Sequence, residues 1–322
     1  IDMYAKCGHV EDAHDIFNKI QNKDVIVWNT MLLGCSQQGL WEETLELFGR
    51  LQEQGLKPDG VTFISVIQGC TQMDDLERGK RYHAQVIGRG ILLDAFIASS
   101  LLLMYVKSNK MRDAREVFDN VQQQDLALWN MLISGYASHG PFEAALEMFE
   151  KMEKDGFTPD NVTYIAVLGV CATISFLKQG QQVHTHMMKI GICSDPHIES
   201  TLLDMYAKCG SLEDAEYIFE HMHECDEVSW TAMITAYAHL GHGKVAILLF
   251  ERMKSKGFRP NEIAFIAILN ACRHGGLVHE GLLYFKSMRD VEGITPTMSH
   301  YACLIDLLGR CGYLEAALDL IY

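Results

Sequence analysis

The chain has 322 residues, 48% hydrophobic and 21% charged, with six prolines; this balance excludes disorder and low complexity and leaves either one large core or an extended array of small units. No stretch of about 18 apolar residues offers a membrane span. The formal net charge of −15 weighs against nucleic acid at first sight, because phosphate binding draws on clustered Lys and Arg.

In chain order, the first element is the phrase DMYAKCG at residues 2 to 8, which returns at 204 to 210, with the altered copy MYVKSN at 104 to 109. The chain opens at Ile1 in the middle of a helical phrase and stops at Tyr322, so both ends are expected to be cut and any targeting segment lost. Next comes Trp28, which recurs 101 residues on at Trp129 and again at Trp230. Pro58, Pro159 and Pro260 keep the same interval, inside GLKPD, GFTPD and GFRPN. Self-similarity of this kind marks a repeat architecture. The interval divides into units of 35, 35 and 31 residues: 25–59, 60–94 and 95–125, then 126–160, 161–195 and 196–226. Units 227–261 and 262–297 follow, with partial units at 1–24 and 298–322.

Each unit predicts two helices. In 25–59, Trp28, Met31, Leu32 and Cys35 keep helical spacing and Gly39 punctuates. A second helix carries Leu45, Phe48 and Leu51 on one face and Glu42 and Glu43 in its first turn; Gly55 lies past its end and Pro58 bars continuation. One such hairpin cannot bury its own apolar face, so neighbours must stack. The expected fold is all-α, a single superhelical solenoid over 1–322 with first helices on one surface and second helices on the other. The ten cysteines include no C-x-x-C, a pattern that suits small core residues in a reducing compartment better than disulfides or a zinc cage.

The residues carry a family resemblance. VIVWNTMLLGCSQQGLWEETLELFGRLQEQGLKPD, VTFISVIQGCTQMDDLERGKRYHAQVI and LLDMYAKCGSLEDAEYIF resemble the P, L and S units of pentatricopeptide repeat proteins of the plant PLS subfamily. The closing HYACLIDLLGRCGYLEAALDLI resembles the last S unit before the C-terminal E/DYW-type extension of that subfamily, so the chain is expected to be a piece lacking it. The resemblance covers the whole chain. It implies a right-handed solenoid that binds single-stranded RNA, one base per repeat, alongside other RNA-editing proteins and with neither membrane nor DNA as partner. It further implies a plant mitochondrion or chloroplast, and a role in positioning cytidine-to-uridine editing.

The resemblance points to the fifth and last residues of each P and S unit as base readers. These are Asn29 with Asp59, Ser99 with Asp125, Asn130 with Asp160, Ser200 with Asp226, and Thr231 with Asn261. A terminal aspartate only accepts hydrogen bonds, which suits the ring N–H of uracil or guanine, whereas an asparagine donates to adenine or cytosine. A short Ser or Thr at the fifth place leaves room for a purine, and Asn reaches a smaller pyrimidine. The five pairs then spell 5′-UnGUnGAnn, with the L units, whose fifth residues are Ile64, Ile165 and Ile266, left unread. Any one pair is equally explained by helix capping, but capping requires neither Asn in P units nor Ser in S units.

The lysine of the opening phrase falls at the thirteenth place of its unit as Lys6, Lys107 and Lys208, with Arg310 in the last unit. These are candidate phosphate contacts that also complement a helix C-terminus. Across the first thirteen positions of all units stand six acids (Asp2, Glu199, Asp204, Glu227, Glu262, Asp306) and five bases (Lys6, Lys107, Lys208, Arg273, Arg310). The acidity therefore sits mostly on the second helices, and the first-helix surface is nearly neutral.

Three other motifs carry less. HMHEC at 221 to 225 has no metal-like counterpart in NVQQQ at 120 to 124, GHGK at 241 to 244 falls at a hairpin turn, and HIE at 197 to 199 has no P-C-x-x-C after it. No catalytic residue, metal ligand or cofactor is expected. Two rivals stay open: an RNA-stability or splicing factor of the same fold, and a protein-binding helical scaffold.

Overall fold

The computed structural model describes residues 1–193 and 195–320; the last two residues of unit 298–322, and one residue of unit 161–195, lie outside them. Among the described residues there are twenty helices and no strand. The chain forms two compact bodies, Ile1–Pro159 and Asp160–Tyr322.

The first body is built from α1 (Asp2–Lys6), α2 (Val10–Lys19), α3 (Val25–Gln37), α4 (Trp41–Glu53), α5 (Gly60–Gln72), α6 (Leu76–Gly88), α7 (Ala95–Lys107), α8 (Met111–Asp119), α9 (Leu126–His139) and α10 (Phe142–Lys154). The second holds α11 (Asn161–Thr173), α12 (Leu177–Ile190), α13 (Pro196–Lys208), α14 (Leu212–His221), α15 (Glu227–His239), α16 (Gly243–Ser255), α17 (Glu262–Gly275), α18 (Val278–Asp290), α19 (Met298–Arg310) and α20 (Leu314–Asp319). Each pair is an antiparallel hairpin. Within each body, the odd-numbered helices pack in a row against one another, and each even-numbered helix packs on its own partner and, where one follows in that body, on the next odd-numbered helix. The fold is an all-α stack of helical hairpins.

The starts of the odd-numbered helices from α3 to α17 are fixed by side-chain caps. Asp24, Asp59, Asp94 and Asp125 in the first body, and Asp160, Asp195, Asp226 and Asn261 in the second, each accept a backbone N–H from the first turn that follows. The side chain satisfies an orphan donor and places negative charge or an oxygen dipole at the positive end of the helix. An aspartate therefore closes two of the three units whose fifth residue is Ile, at Asp94 and Asp195, while the third ends in Thr297.

The tryptophans explain the 101-residue period. Trp28, Trp129 and Trp230 are fully buried, each meeting the edge of a phenylalanine from the preceding hairpin: Phe17 at 4.8 Å, Phe118 at 4.6 Å and Phe219 at 4.8 Å between ring centroids. A cation from the tryptophan's own hairpin covers the ring in each case, Arg50, Lys151 and Arg252. The same aromatic contact thus recurs where α2 meets α3, α8 meets α9 and α14 meets α15.

Candidate functional site

Burial along the odd-numbered helices leaves one narrow stripe facing solvent. In α3 the residues that escape burial within the helix are Ile26, Thr30, Leu33 and Gln37, with Val25 and Val27 beside them at the first turn. This spacing of four, three and four is one face of a helix. The same stripe carries the second, ninth and thirteenth places of α7, α13, α15 and α17. The fifth place sits on its edge: Ser99, Asn130, Ser200 and the isoleucines Ile64, Ile165 and Ile266 are half-buried, while Asn29 and Thr231 are buried.

The stripe brings forward residues that the sequence pattern left unassigned. The second place of six odd-numbered helices holds a large apolar residue, Ile26, Val61, Phe96, Val162, Val228 and Ile263, all exposed, while α9, α13 and α19 carry Ala127, His197 and Ser299 there. An apolar side chain one residue inside a helix, off its core face, was the available signal; the periodicity around it is so uniformly apolar that it hides an outlying position.

The first candidate reader pair is in direct contact. Asn29 Nδ2 donates to Asp59 Oδ1 at 2.8 Å and Oδ2 at 3.0 Å. Thr62 completes the cluster: its hydroxyl lies 2.6 Å from Asn29 Oδ1 and 2.9 Å from Asp59 Oδ1, and its N–H donates to Asp59 Oδ1 at 3.0 Å. Asp59 thus caps α5 and orients the Asn29 amide together. The fifth-place hydroxyls turn back on their own helices, Ser99 to the Ala95 carbonyl at 2.6 Å, Ser200 to Pro196 at 2.9 Å and Thr231 to Glu227 at 2.7 Å. This uses the hydroxyl proton and leaves oxygen lone pairs as acceptors. Asp125, Asp226 and Asn261 accept from Leu128, Ser229 and Ala264. For Asp226, burial pushes the carboxyl up, but the Ser229 N–H and hydroxyl with the nearby backbone donors outweigh it and hold the group below the usual carboxylate range. It stays an acceptor. Asn130 and Asp160 lie in different bodies.

A cleft of about 480 Å³ opens on this surface in the second body. Thr231 and Asn261 line it, with the exposed second-place residues Val228 and Ile263, and with Lys208 and Asp204 at its edge. A candidate reader pair, two aliphatic walls and a candidate phosphate contact therefore share one opening. Two aliphatic side chains either side of a slot suit the faces of a flat ring, and the polar pair suits its edge.

The candidate phosphate cations are not equivalent. Lys6 is held by Asp2 at 2.9 Å, Lys208 by Asp204 at 2.7 Å, and Arg310 by Asp306 at 2.9 Å, which also takes Arg273 at 3.3 Å. Lys107 differs because Leu103 stands where those acids stand. Its Nζ reaches only the Thr71 carbonyl at 3.5 Å and Gln72 Oε1 at 3.3 Å. Among the described first-helix bases it is the one without a carboxylate.

The remaining motifs resolve into packing. In HMHEC, His223 Nδ1 sits 2.7 Å from the buried Glu199 Oε1, and its N–H donates to Glu199 Oε2 at 3.1 Å. That contact also ties down the glutamate of HIE. His221 meets the Tyr217 carbonyl and Cys225 the Phe219 carbonyl. In GHGK, Gly241 takes φ +82°, and Gly243 packs so closely on α17 that an added Cβ would lie 2.7 Å from the Ala271 carbonyl oxygen.

Comparison with known proteins agrees with this architecture. The profile of the PPR repeat family matches residues 23–72, 124–173 and 225–274, and that of the PPR repeat matches 1–25, 96–126, 200–226 and 299–322. A mitochondrial pentatricopeptide repeat-containing protein of Arabidopsis thaliana is 38% identical over all of this chain and 47% of its own length; the chain spans about half the length of such relatives. Among solved structures, a pentatricopeptide repeat protein from maize superposes with a TM-score of 0.55 at 19% identity, over 99% of this chain and 52% of the maize chain. The same maize protein in complex with an 18-nt RNA element gives 0.50 at 20% identity, over 99% and 47%.

Proposed function

The chain belongs to the pentatricopeptide repeat family, and on that premise we propose that it binds single-stranded RNA by reading bases with its fifth and last residues. The cleft that joins Thr231 and Asn261 with Val228, Ile263 and Lys208 carries this reading. A base slides between the aliphatic second-place side chains, its edge meets the polar pair, and its phosphate passes the thirteenth-place cation. Stacking between side chains supplies affinity without sequence preference, and the edge contacts supply the preference.

On this reading the units from 1–24 through 298–322 act as one array, and Asn29/Asp59, Ser99/Asp125, Asn130/Asp160, Ser200/Asp226 and Thr231/Asn261 select U, G, U, G and A. Lys107 serves as the principal phosphate contact; Lys6, Lys208 and Arg310 contribute less because each shares an aspartate. The 35/35/31 cycle supports a PLS-type array, and with it the recognition part of an organellar cytidine-to-uridine editing factor. The mitochondrial relative supports an organellar location.

The test is binding, at stated salt, to single-stranded RNA containing UnGUnGA and to the same RNA with both G positions changed to C. Loss of about 1–3 kcal/mol per changed base is expected from direct readout. Equal weak binding to both RNAs overturns the base assignment and raises the protein-scaffold reading.

A further inference from the structure

The junction of α2, α3 and α4 holds a side-chain cluster that base reading does not use. His14 Nε2 touches the Glu43 carboxylate and lies 4.0 Å from Cys35 Sγ. One donor atom from each of the three residues falls within 4.8 Å of the others. In sequence they are separated by 21 and 8 residues, on three different helices, so no short ligand motif announces them.

From this convergence we propose that His14, Cys35 and Glu43 form a binding site for a divalent transition-metal ion of the zinc class, with a fourth position open to water. The donor set is one imidazole nitrogen, one sulfur and one carboxylate oxygen, the mixed set that zinc accepts in tetrahedral geometry. With Zn–S near 2.3 Å and Zn–N near 2.0–2.1 Å, sulfur and nitrogen bound to one tetrahedral ion stand roughly 3.6 Å apart. The observed 4.0 Å needs only a small side-chain adjustment. The ion replaces the direct His14–Glu43 contact and displaces the thiol proton of Cys35, which leaves to solvent as the sulfur–metal bond forms. Cys35 is buried, whereas the His14 and Glu43 side chains are 22% and 37% exposed; the latter two give the ion a way in.

Comparison with the other junctions of the same kind argues against ordinary packing as the whole explanation. One period on, the three places hold Arg115, Tyr136 and Ala144; two periods on, they hold Glu216, Tyr237 and Val245. At the third junction the tyrosine hydroxyl donates to Glu216. At the first, a small sulfur stands where the others place a phenol ring, and the two neighbouring places both supply metal-binding groups. Cysteine, histidine and glutamate change together. A bound ion would tie the first two hairpins to each other through all three helices.

The test is titration of the chelator-treated chain with Co²⁺, read by the thiolate-to-cobalt charge-transfer band, followed by displacement with Zn²⁺. One equivalent of the band is expected, with a zinc-dependent rise in melting temperature. Cys35→Ala, a small-for-small change, should abolish both while leaving the helical circular-dichroism signal intact. Glu43→Gln, which removes a direct ligand, should weaken Co²⁺ binding by at least the roughly tenfold seen when only an outer-shell partner of a ligand is lost. Cys70→Ala, at a buried thiol elsewhere, should change neither readout. A band that survives Cys35→Ala, or that is absent from the unmodified chain, overturns the proposal.

Discussion

The amide of Asn29 donates to both carboxylate oxygens of Asp59, thirty residues away in sequence, at 2.8 and 3.0 Å. The residue proposed to sense base size and the residue proposed to sense the ring edge are one hydrogen-bonded unit, anchored by the cap of α5. Asp59→Ala should therefore act on folding as well as binding. Loss of the cap costs about 1 kcal/mol, and orphaning the Asn29 amide and Thr62 hydroxyl adds about 1–3 kcal/mol. Asp59→Asn keeps a capping oxygen and should stay near wild-type stability while its base preference moves from U to C. Denaturant midpoints and binding to RNAs varied at one base separate the two effects.

Asn130→Ser should shift preference at its base from U toward G and leave the other positions unchanged. Competition binding with single-base RNA variants reads this directly. An unchanged preference removes Asn130 from the readers.

Ion pairing sets the electrostatics of binding. Lys107→Ala should weaken binding about equally for all sequences. Asp204→Asn, which frees Lys208, should tighten it by roughly twofold to fivefold, the scale of an exposed ion pair. Each phosphate neutralised on a single strand contributes about 0.7 to the slope of log affinity against log salt. With the other first-helix bases held by acids, a slope below about 2 in magnitude is expected. A slope near 4, equivalent to about six contacts, contradicts this.

Acid should loosen both bodies. His83 and His184 are half-buried against the hydroxyls of Tyr105 and Tyr206, at 2.8 Å in both cases. Desolvation lowers both imidazole pKa values from 6.5, against the opposing pull of nearby carboxylates. The unfolded chain then binds protons that the folded chain refuses. Stability is full above pH 6.5 and falls as pH drops from there toward the folded-state values; the depressed Asp226 acts in the same direction at lower pH. Replacing both histidines with Gln should flatten the loss that sets in below about pH 6.5, measured by urea midpoints across pH.

Gly243→Ala places a methyl group against the Ala271 carbonyl, where backbone rather than a flexible side chain has to give. It should cost about 1–3 kcal/mol by overpacking, and Gly55→Ala, which has open space but φ +74°, about 1 kcal/mol. Thermal melts of the two variants distinguish close packing from backbone strain.

Sequence alone determined the helical hairpins, the starts of the first helices and the aspartates that cap them. These depend on contacts within four residues or on a repeat that writes the same packing three times, as at Trp28, Trp129 and Trp230. It also carried the acid partners of Lys6, Lys208 and Arg310, four residues upstream in each case, although the repeated lysine drew attention away from them. Tertiary structure decided which residues share a surface. Val228 and Ile263 lie on successive first helices yet wall one cleft; Glu199 is claimed by His223 across 24 residues; His14, Cys35 and Glu43 converge from three helices. Such meetings depend on how far one helix slides and rotates on the next. Side-chain volumes at the whole interface set that slide, and no local spacing encodes it.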